Sequence, residues 1–257
     1  NTIAASDFHL FEQVDELVQE ESTEALGPEL VDLLRSIGIS KGKHFAPDSR
    51  MRNLLVEAAS VANATARVLA FRGRDPAASL DEDSGWTAPF IGNSHRFERR
   101  GVRLQDARTR FFYLSTMTTP TMVDAKLGRG SQYALCATDA SGRYLDGGMS
   151  YRLRLPPNIP AKNFWSIVVY DPQTRSMLQA PGSATPSLGS QTGAPMTDAD
   201  GTTTLYFGPK APAGKEANWI QTVPRKGWFA ILQLYGPLQS WFDGSWRPSE
   251  IERTDGR

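Results

Sequence analysis

Residues 228–235, WFAILQLY, and residues 164–170, FWSIVVY, decide the fold. Both are short runs of aromatic, β-branched and other apolar residues, and a glycine or proline closes each run within two residues. Runs of this length and composition are typical of buried β-strands. They predict that the second half of the chain is built on β-sheet.

Three further strands are predicted around these two, at residues 132–138, 150–155 and 203–207. In SYRLRL, residues 150–155, apolar side chains alternate with arginines, which is the pattern of a strand with one buried face. No convincing helix lies between the strands, and parallel strands need such a crossover. We therefore expect mainly antiparallel sheets that pack face to face as a β-sandwich of jelly-roll type.

The first part of the chain shows helical periodicity instead. Apolar residues three and four positions apart predict a first helix over residues 7–21. Gly27-Pro28 places a proline in the first turn of a second, short helix, and Gly38 stands where a left-handed C-terminal cap is expected.

The strongest helical stretch follows Asp48, a candidate N-cap, and continues through Phe71. A later helix is predicted at about residues 104–127. Pro120 lies inside that range, and proline cannot continue a helix without loss of a backbone hydrogen bond, so two pieces are expected.

Two stretches rich in Gly, Pro and polar residues separate these elements. Residues 72–89 are interpreted as a connector or exposed loop, and residues 180–201 as a long loop. The predicted fold class is α+β, with an N-terminal helical segment packed on an antiparallel β-sandwich. The predicted domains are a helical linking region, residues 1–89, and the sandwich domain, residues 90–257.

The composition limits the classes of partner. The chain has 257 residues with 28 Lys and Arg against 28 Asp and Glu, so no basic field attracts nucleic acid or an anionic membrane surface. Its single cysteine cannot form an internal disulfide bond. No uninterrupted apolar run approaches the roughly 20 residues of a membrane-spanning helix, and we predict no membrane span. The start at Asn1, without Met, leads us to expect a processed chain or a portion of a longer protein.

The second half also resembles a known family. NFWSIVVYDPQTR, residues 163–175, and RKGWFAILQLYGP, residues 225–237, are similar to the C-terminal domain of a bacterial family known as domain of unknown function twelve-fourteen. FEQVDELVQEE, residues 11–21, and AASVANATAR, residues 58–67, resemble the region that links it to a preceding domain, domain of unknown function twelve-fifty-four.

The resemblance carries expectations about the whole protein. It implies a further β-rich N-terminal domain of the same protein as a partner of this chain. It also implies export, which favours the periplasm or the cell exterior. The family offers no established activity, substrate, cofactor or catalytic residue to transfer.

Six residues at strand bodies and ends are the candidate ligand-binding residues: Arg152, Tyr170, Asp171, Arg175, Tyr206 and Trp219. If the charged groups converge with tyrosine hydroxyls at a pocket mouth, they can bind a carboxylate, a sulfate or a sugar. The competing interpretation is structural, since aromatic side chains fill β-sandwich cores and Arg–Asp pairs fix loops.

Three aromatic motifs suggest a sugar-stacking surface or, equally, the closed ends of the sandwich: NFW at residues 163–165, NWI at 218–220 and SWFDGSW at 240–246. No catalytic or metal motif accompanies them. His9, His44 and His95 are far apart without metal-ligand spacing, so no metal and no cofactor are predicted. The nucleophile pattern Gly-x-Ser-x-Gly is absent, and Cys136 lies in an apolar strand-like run, where an inert thiol is expected.

Two functions follow from these observations. The first is a small-molecule-binding or glycan-binding and assembly module that completes a two-domain protein. The alternative is a hydrolase or lyase whose acid and base come from Tyr170, Asp171, Arg175 or His95. Whether the protein is an enzyme, and whether it forms a homo-oligomer, are left open.

Overall fold

The computed structural model describes residues 4–73, 75–92, 94–115, 118–123, 126–182, 185–191 and 195–254. The chain divides into two compact units, Asn1–Arg72 and Gly73–Arg257. The first unit is helical and the second carries the β-sheets. This is the mixed α+β class expected from the sequence. The packing of the helical segment on the sheets and the division into domains at residue 89 stay predictions.

Four helices form the first unit: α1 (His9–Glu20), α2 (Thr23–Leu26), α3 (Pro28–Ser36) and α4 (Ser49–Arg72). The predicted end signals are confirmed. Asp48 Oδ1 accepts a hydrogen bond from the backbone N–H of Met51 at 2.7 Å, and Gly38 has a φ of 94° after α3. The four-residue helix α2 was not predicted; it begins after Ser22, whose hydroxyl caps it.

The loop after α3 is bound to the C-terminal end of α1. Lys41 Nζ donates to the backbone oxygens of Gln19 at 2.8 Å and Glu21 at 2.7 Å. The Gln19 side chain in turn donates to Ser40 O at 3.0 Å and accepts from Gly42 N at 2.8 Å. A lysine at this position satisfies carbonyl groups that a helix leaves unpaired and complements the helix dipole.

Helix α4 is long and apolar enough to span a membrane when judged by length and composition alone. It has 24 residues, and the mean hydropathy of its most apolar 18-residue window is 1.4, with 17% of that window buried. One such helix is weak evidence, since core helices of soluble proteins pass the same test. The prediction of no membrane span is untested.

The second unit contains eleven strands, three α-helices and two 3₁₀ helices, Pro76–Ala78 and Glu216–Asn218, within its described residues. The strands are β1 (Trp86–Thr87), β2 (Glu98–Arg99), β3 (Val102–Arg103), β4 (Ser131–Cys136), β5 (Tyr151–Leu155), β6 (Ala161–Tyr170), β7 (Ser187–Gly189), β8 (Thr203–Gly208), β9 (Trp219–Gln221), β10 (Phe229–Pro237) and β11 (Glu252–Arg253). The helices are α5 (Gln105–Leu114), α6 (Pro120–Val123) and α7 (Gln239–Phe242). All five predicted strands are present, as β4, β5, β6, β8 and β10.

Two main sheets are formed, and a short hairpin pairs β2 with β3. The five-stranded sheet has the order β1-β4-β10-β6-β7 and is antiparallel throughout. The four-stranded sheet has the order β11-β5-β8-β9 and is antiparallel except for the parallel pair β8–β9. Antiparallel sheets are therefore confirmed. The sheets do not close on each other, and jelly-roll connectivity is not established.

One hydrophobic core lies between the two sheets. The five-stranded sheet contributes Ile167 and Leu232, and the four-stranded sheet contributes Leu153, Leu205 and Phe207, all at most 1% exposed. Alternate residues on these strands face away from this core, as the period-two pattern requires. On the other side of β4, Tyr133 packs against a second cluster, which includes Phe111 of α5.

Two expectations about loops are corrected. Within residues 72–89, positions 72, 73, 75–77 and 81–83 are exposed as expected, but the end of the stretch is not a loop, because β1 pairs with β4 and Trp86 is 1% exposed within the core. The predicted loop 180–201 contains β7, which pairs with β6. Both strands have only two or three residues, too few to show a period. The expected two helical pieces are present, but Pro120 begins the second piece, α6, and the first piece, α5, already ends at Leu114.

Candidate functional site

Three of the six candidate residues form a row across the outer face of the four-stranded sheet. Arg152 on β5 lies opposite Tyr206 on β8, and Tyr206 lies opposite Trp219 on β9. Glu252 on β11 lies opposite Arg152 and completes the row. Neighbouring residues such as Tyr151 are buried in the core, so the row faces away from it. We call Glu252, Arg152, Tyr206 and Trp219 the sheet row.

An ion pair occupies one end of the sheet row. Arg152 Nε and Nη2 lie 2.7 Å and 2.6 Å from the same oxygen, Oε2 of Glu252, and the two side chains are 39% and 40% exposed. At the other end, the Trp219 indole N–H donates to Gly208 O at 3.0 Å, which fixes the ring. Exposed pairs of this kind contribute little stability. The row is a half-exposed polar and aromatic surface.

Asp171 lies elsewhere, at the end of β6, and its carboxylate is used by its own turn. Oδ1 accepts from the backbone N–H of Gln173 at 2.7 Å, and Oδ2 lies 2.8 Å from Lys226 Nζ. Burial raises the pKa of Asp171, but the hydrogen bonds from Lys226 and Gln173 lower it more, and the net pKa is below its ordinary value. The carboxylate is therefore ionised and structurally engaged.

Asp139, after β4, holds a turn of the same design. Its Oδ1 accepts from the N–H of Ser141 at 2.9 Å and from the N–H of Arg143 at 3.1 Å. Burial raises the pKa of Asp139, but the hydrogen bonds from Ser141 and Arg143 outweigh it and the net pKa is lowered. Both aspartates are followed by arginine four residues later. The repeated Asp-turn favours a loop-fixing role for Asp171.

Arg175 and Tyr170 also make packing contacts. Arg175 Nε donates to Tyr113 O at 3.1 Å, and its guanidinium lies 4.4 Å from the centroid of the Tyr113 ring. Tyr170 stacks on Phe229, its partner across β10, with 5.3 Å between ring centroids, and burial raises its pKa. Among the described contacts, none joins the side chains of Tyr170, Asp171 and Arg175. The structure does not bring these three together with the sheet row.

The remaining reactive groups are not arranged as a catalytic or metal centre in the described part of the chain. Cys136 is fully buried, and burial raises the pKa of its thiol to about 12. No group of three or more His, Cys, Asp and Glu residues suits a metal ion within the described ranges. The absence of a metal or cofactor stays a prediction.

One of the three aromatic motifs, NFW, lines a pocket of about 450 Å³ beside the first residues of β6 and β8, here called the β6–β8 pocket. Its polar lining residues come from four segments: Asn158, Asn163, Ser190, Thr197 and Thr203. Its other lining residues are apolar or glycine: Ile159, Ala161, Phe164, Trp165, Pro195 and Gly201. NFW thus contributes its three residues to the lining.

The rim of this pocket is held by Asn218, the first residue of NWI. The buried Asn218 side chain accepts from Met196 N at 2.7 Å and donates to Met196 O at 2.7 Å and to Thr204 O at 2.8 Å. Met196 lies between the lining residues Pro195 and Thr197, and Thr204 follows the lining residue Thr203. Asn218 therefore ties one wall of the pocket to the sheet.

The third aromatic motif, SWFDGSW at residues 240–246, packs in the core and does not form a stacking surface for a sugar. Trp241 and Trp246 are each 5% exposed and belong to the core between the sheets. The Trp246 indole N–H donates to Pro156 O at 3.2 Å.

Most pocket residues were missed by the sequence analysis. Asn158, Ser190, Thr197 and Thr203 stand in loops or at a strand end, where small polar residues are ordinary. The only signal was the NFW motif.

Part of the chain matches a family model, and most of the chain is similar to solved structures. Residues 130–239 match the sequence model of the family described as "Protein of unknown function (DUF1214)". Among curated proteins no significant match to the chain is found.

Two solved structures are similar to most of the chain. The VPA0106 protein of Vibrio parahaemolyticus is 20% identical, with a TM-score of 0.49, over 96% of this chain and 55% of its own. An uncharacterised protein of Burkholderia cenocepacia is 16% identical, with a TM-score of 0.38, over 96% of this chain and 49% of its own. This chain therefore spans about half the length of these two proteins. The preceding family, twelve-fifty-four, stays a prediction, whereas residues 130–239, the C-terminal part of the chain, match the model of the DUF1214 family.

Proposed function

We propose that this chain is a small-molecule-binding module and that the β6–β8 pocket is its binding site. The observation that carries the proposal is a shallow, open depression of about 450 Å³ whose lining combines polar side chains from residues 158–163, 190, 197 and 203. Ligand pockets in proteins have volumes of roughly 300–1,000 Å³ and combine apolar walls with a few placed polar groups.

The lining leaves its polar atoms available to a ligand. Within the described ranges no hydrogen bond engages the side chains of Asn158, Asn163, Thr197 or Thr203. Ser190 is the exception, since its hydroxyl accepts from Trp165 N at 3.1 Å, and it retains a proton to donate. Asn158, Asn163, Ser190 and Thr197 are exposed to solvent, so a ligand can take the place of the water that hydrates them.

We also propose that the two sheets are connected as a jelly roll. Two packed sheets that stay open leave room for a ligand at their ends. The proposal further includes assembly with a β-rich N-terminal domain of the same protein, and export to the periplasm or cell exterior. The sheet row, with Arg152, Tyr206 and Trp219, is a second candidate contact surface for such a domain or for a ligand.

The alternative of a hydrolase or lyase at Tyr170, Asp171 and Arg175 receives no specific support. The Asp171 carboxylate is committed to its turn and to Lys226, and Arg175 is committed to Tyr113. A general acid or base must instead reach the proton that it transfers.

The proposal is tested by a thermal-shift screen of the purified chain against sugars, organic acids, amino acids, nucleosides and fatty acids. We expect at least one class to raise the melting temperature, because a ligand that binds only the folded state stabilises it. Isothermal titration of the best compound then compares Asn163→Ala with the wild type. We expect about tenfold weaker binding, from the loss of one or two hydrogen bonds.

Asn53→Ala is the matched control, since Asn53 is exposed on α4 in the helical unit. It should leave affinity unchanged. If no compound shifts the melting temperature, or if both variants bind as the wild type does, the pocket is not the binding site.

A further inference from the structure

We infer that the β6–β8 pocket takes an uncharged, polyhydroxylated ligand such as a sugar. This inference rests on the proposed function and specifies the chemical class of the ligand. Three properties of the lining support it: the lack of charge, the groups that both donate and accept hydrogen bonds, and the aromatic surface.

The lining has no ionisable side chain. Its described residues include no Asp, Glu, Lys, Arg or His. A charged ligand that enters such a space loses hydration without gaining a counter-charge, and this desolvation is costly. A carboxylate, a phosphate, an ammonium group or a metal ion is therefore disfavoured.

The polar groups of the lining can each both donate and accept. The two amides, Asn158 and Asn163, offer an oxygen and an NH₂ group, and the hydroxyls of Ser190, Thr197 and Thr203 do both through one atom. A sugar hydroxyl also both donates and accepts, so neighbouring hydroxyls can pair with such a lining without leaving an unpaired group. A fatty chain would leave these five side chains without partners.

One aromatic side chain, Phe164, is accessible in the lining, and Ile159, Ala161 and Pro195 supply further apolar surface. Phe164 is held by stacking on Tyr235, with 3.9 Å between ring centroids, whereas Trp165 is 8% exposed and its ring belongs to the core between the sheets. The C–H faces of a sugar ring pack on such surfaces, while its hydroxyls point to the polar groups at the edges. Fixed aromatic rings lower the ordering cost of binding.

The experiment compares ligands that keep one ring and change its charge. The purified chain is titrated by calorimetry with neutral mono- and disaccharides, glucose and maltose among them, and with glucuronate and glucosamine at about pH 6. We expect a neutral sugar to bind and both charged analogues to bind at least tenfold more weakly.

Thr203→Val tests the hydroxyl contacts. It removes one lining hydroxyl at nearly constant volume and should weaken sugar binding about fivefold to tenfold. Thr222→Val is the matched control, because Thr222 is also a buried threonine of this unit but bonds to Gly147 O, away from the pocket. Thr222→Val should lower stability and leave affinity unchanged.

Each outcome separates the two proposals. If an acid, amine or fatty acid binds at the pocket and neutral sugars do not, the inference about ligand class is overturned and the proposed function stands. If a neutral sugar binds with equal affinity to Thr203→Val and the wild type, the inference is also overturned. If no compound of any class binds, the proposed function itself fails.

Discussion

At the scale of single residues, Asp171 shows that a sequence pattern typical of a functional site can belong to a structural turn. Asp171 and Asp139 both follow a strand that pairs with β10, and both accept backbone N–H groups of the turn that follows. Acidic residues beside tyrosine and arginine suggest chemistry in the sequence. In the structure, the repeated contact pattern identifies a way to end a strand and reverse the chain.

Replacement of Asp171 by Asn should lower the free energy of unfolding by about 1 kcal/mol at neutral pH. The amide oxygen can still accept from Gln173 N, but the charge that attracts Lys226 is lost, and half of the Lys226 side chain is exposed to solvent. Urea denaturation of both proteins measures the difference.

The effect should depend on pH in a defined direction. The folded-state pKa of Asp171 lies below the ordinary value of 3.8, so its contribution is fully present above that value and is lost as pH falls through the folded-state pKa. The stabilities of the two proteins should therefore begin to converge as pH falls below 3.8 and should meet below the folded-state pKa of Asp171. A difference that stays constant down to acid pH would contradict an ionised Asp171.

At the scale of elements, residues 195–202, which precede β8, are held both by their own turn and by contacts with other elements. Asn218 binds Met196 through the oxygen and the nitrogen of its side-chain amide, and the Asp198 carboxylate accepts from the Thr204 hydroxyl at 2.7 Å. Within the segment, Asp198 N donates to Thr202 O at 2.7 Å. The order of these residues therefore combines local turn contacts with contacts to β8 and Asn218.

Asn218→Ala should release this segment. It leaves Met196 N, Met196 O and Thr204 O without their partner, and each buried group left unpaired costs about 1–3 kcal/mol unless water reaches it. Amide hydrogen exchange without ligand should become faster over residues 195–204.

Thr222→Val serves as the control for Asn218→Ala, since it removes a buried hydrogen bond of the same unit but touches no residue of this segment. Its exchange over residues 195–204 should match the wild type. Equal acceleration in both variants would mean that the segment responds to global stability and that Asn218 has no specific role.

At the scale of the whole molecule, stability of the second unit depends on the core that the two sheets share. Leu205 lies on β8 and is fully buried among residues of both sheets. Its side chain fills space that neither sheet can close alone.

Leu205→Ala should lower the free energy of unfolding by about 2–5 kcal/mol, from lost burial and the cavity that remains. Leu33→Ala is its control, because Leu33 on α3 is 66% exposed and should change stability by less than about 0.5 kcal/mol. Guanidinium denaturation followed by tryptophan fluorescence compares them. Similar losses in the two variants would contradict the shared core.

The sequence alone determined the elements with strong local signals. The five long strands, the Asp48 cap, the Gly38 turn and the two helical pieces within residues 104–127 were all predicted, because periodicity, capping and proline chemistry act within a few residues. The family match to residues 130–239 likewise needed no structure.

Only the tertiary structure decided which segments meet. Strands of two or three residues, such as β1 and β7, have no period of their own and exist because a longer strand offers them backbone partners. The parallel pair β8–β9 also depends on pairing that local patterns do not encode. The β6–β8 pocket brings residues 158–165 together with residues 190, 195–197 and 201–203, each stretch ordinary by itself. Convergence in space is a property of the packed chain, and no short stretch of sequence carries it.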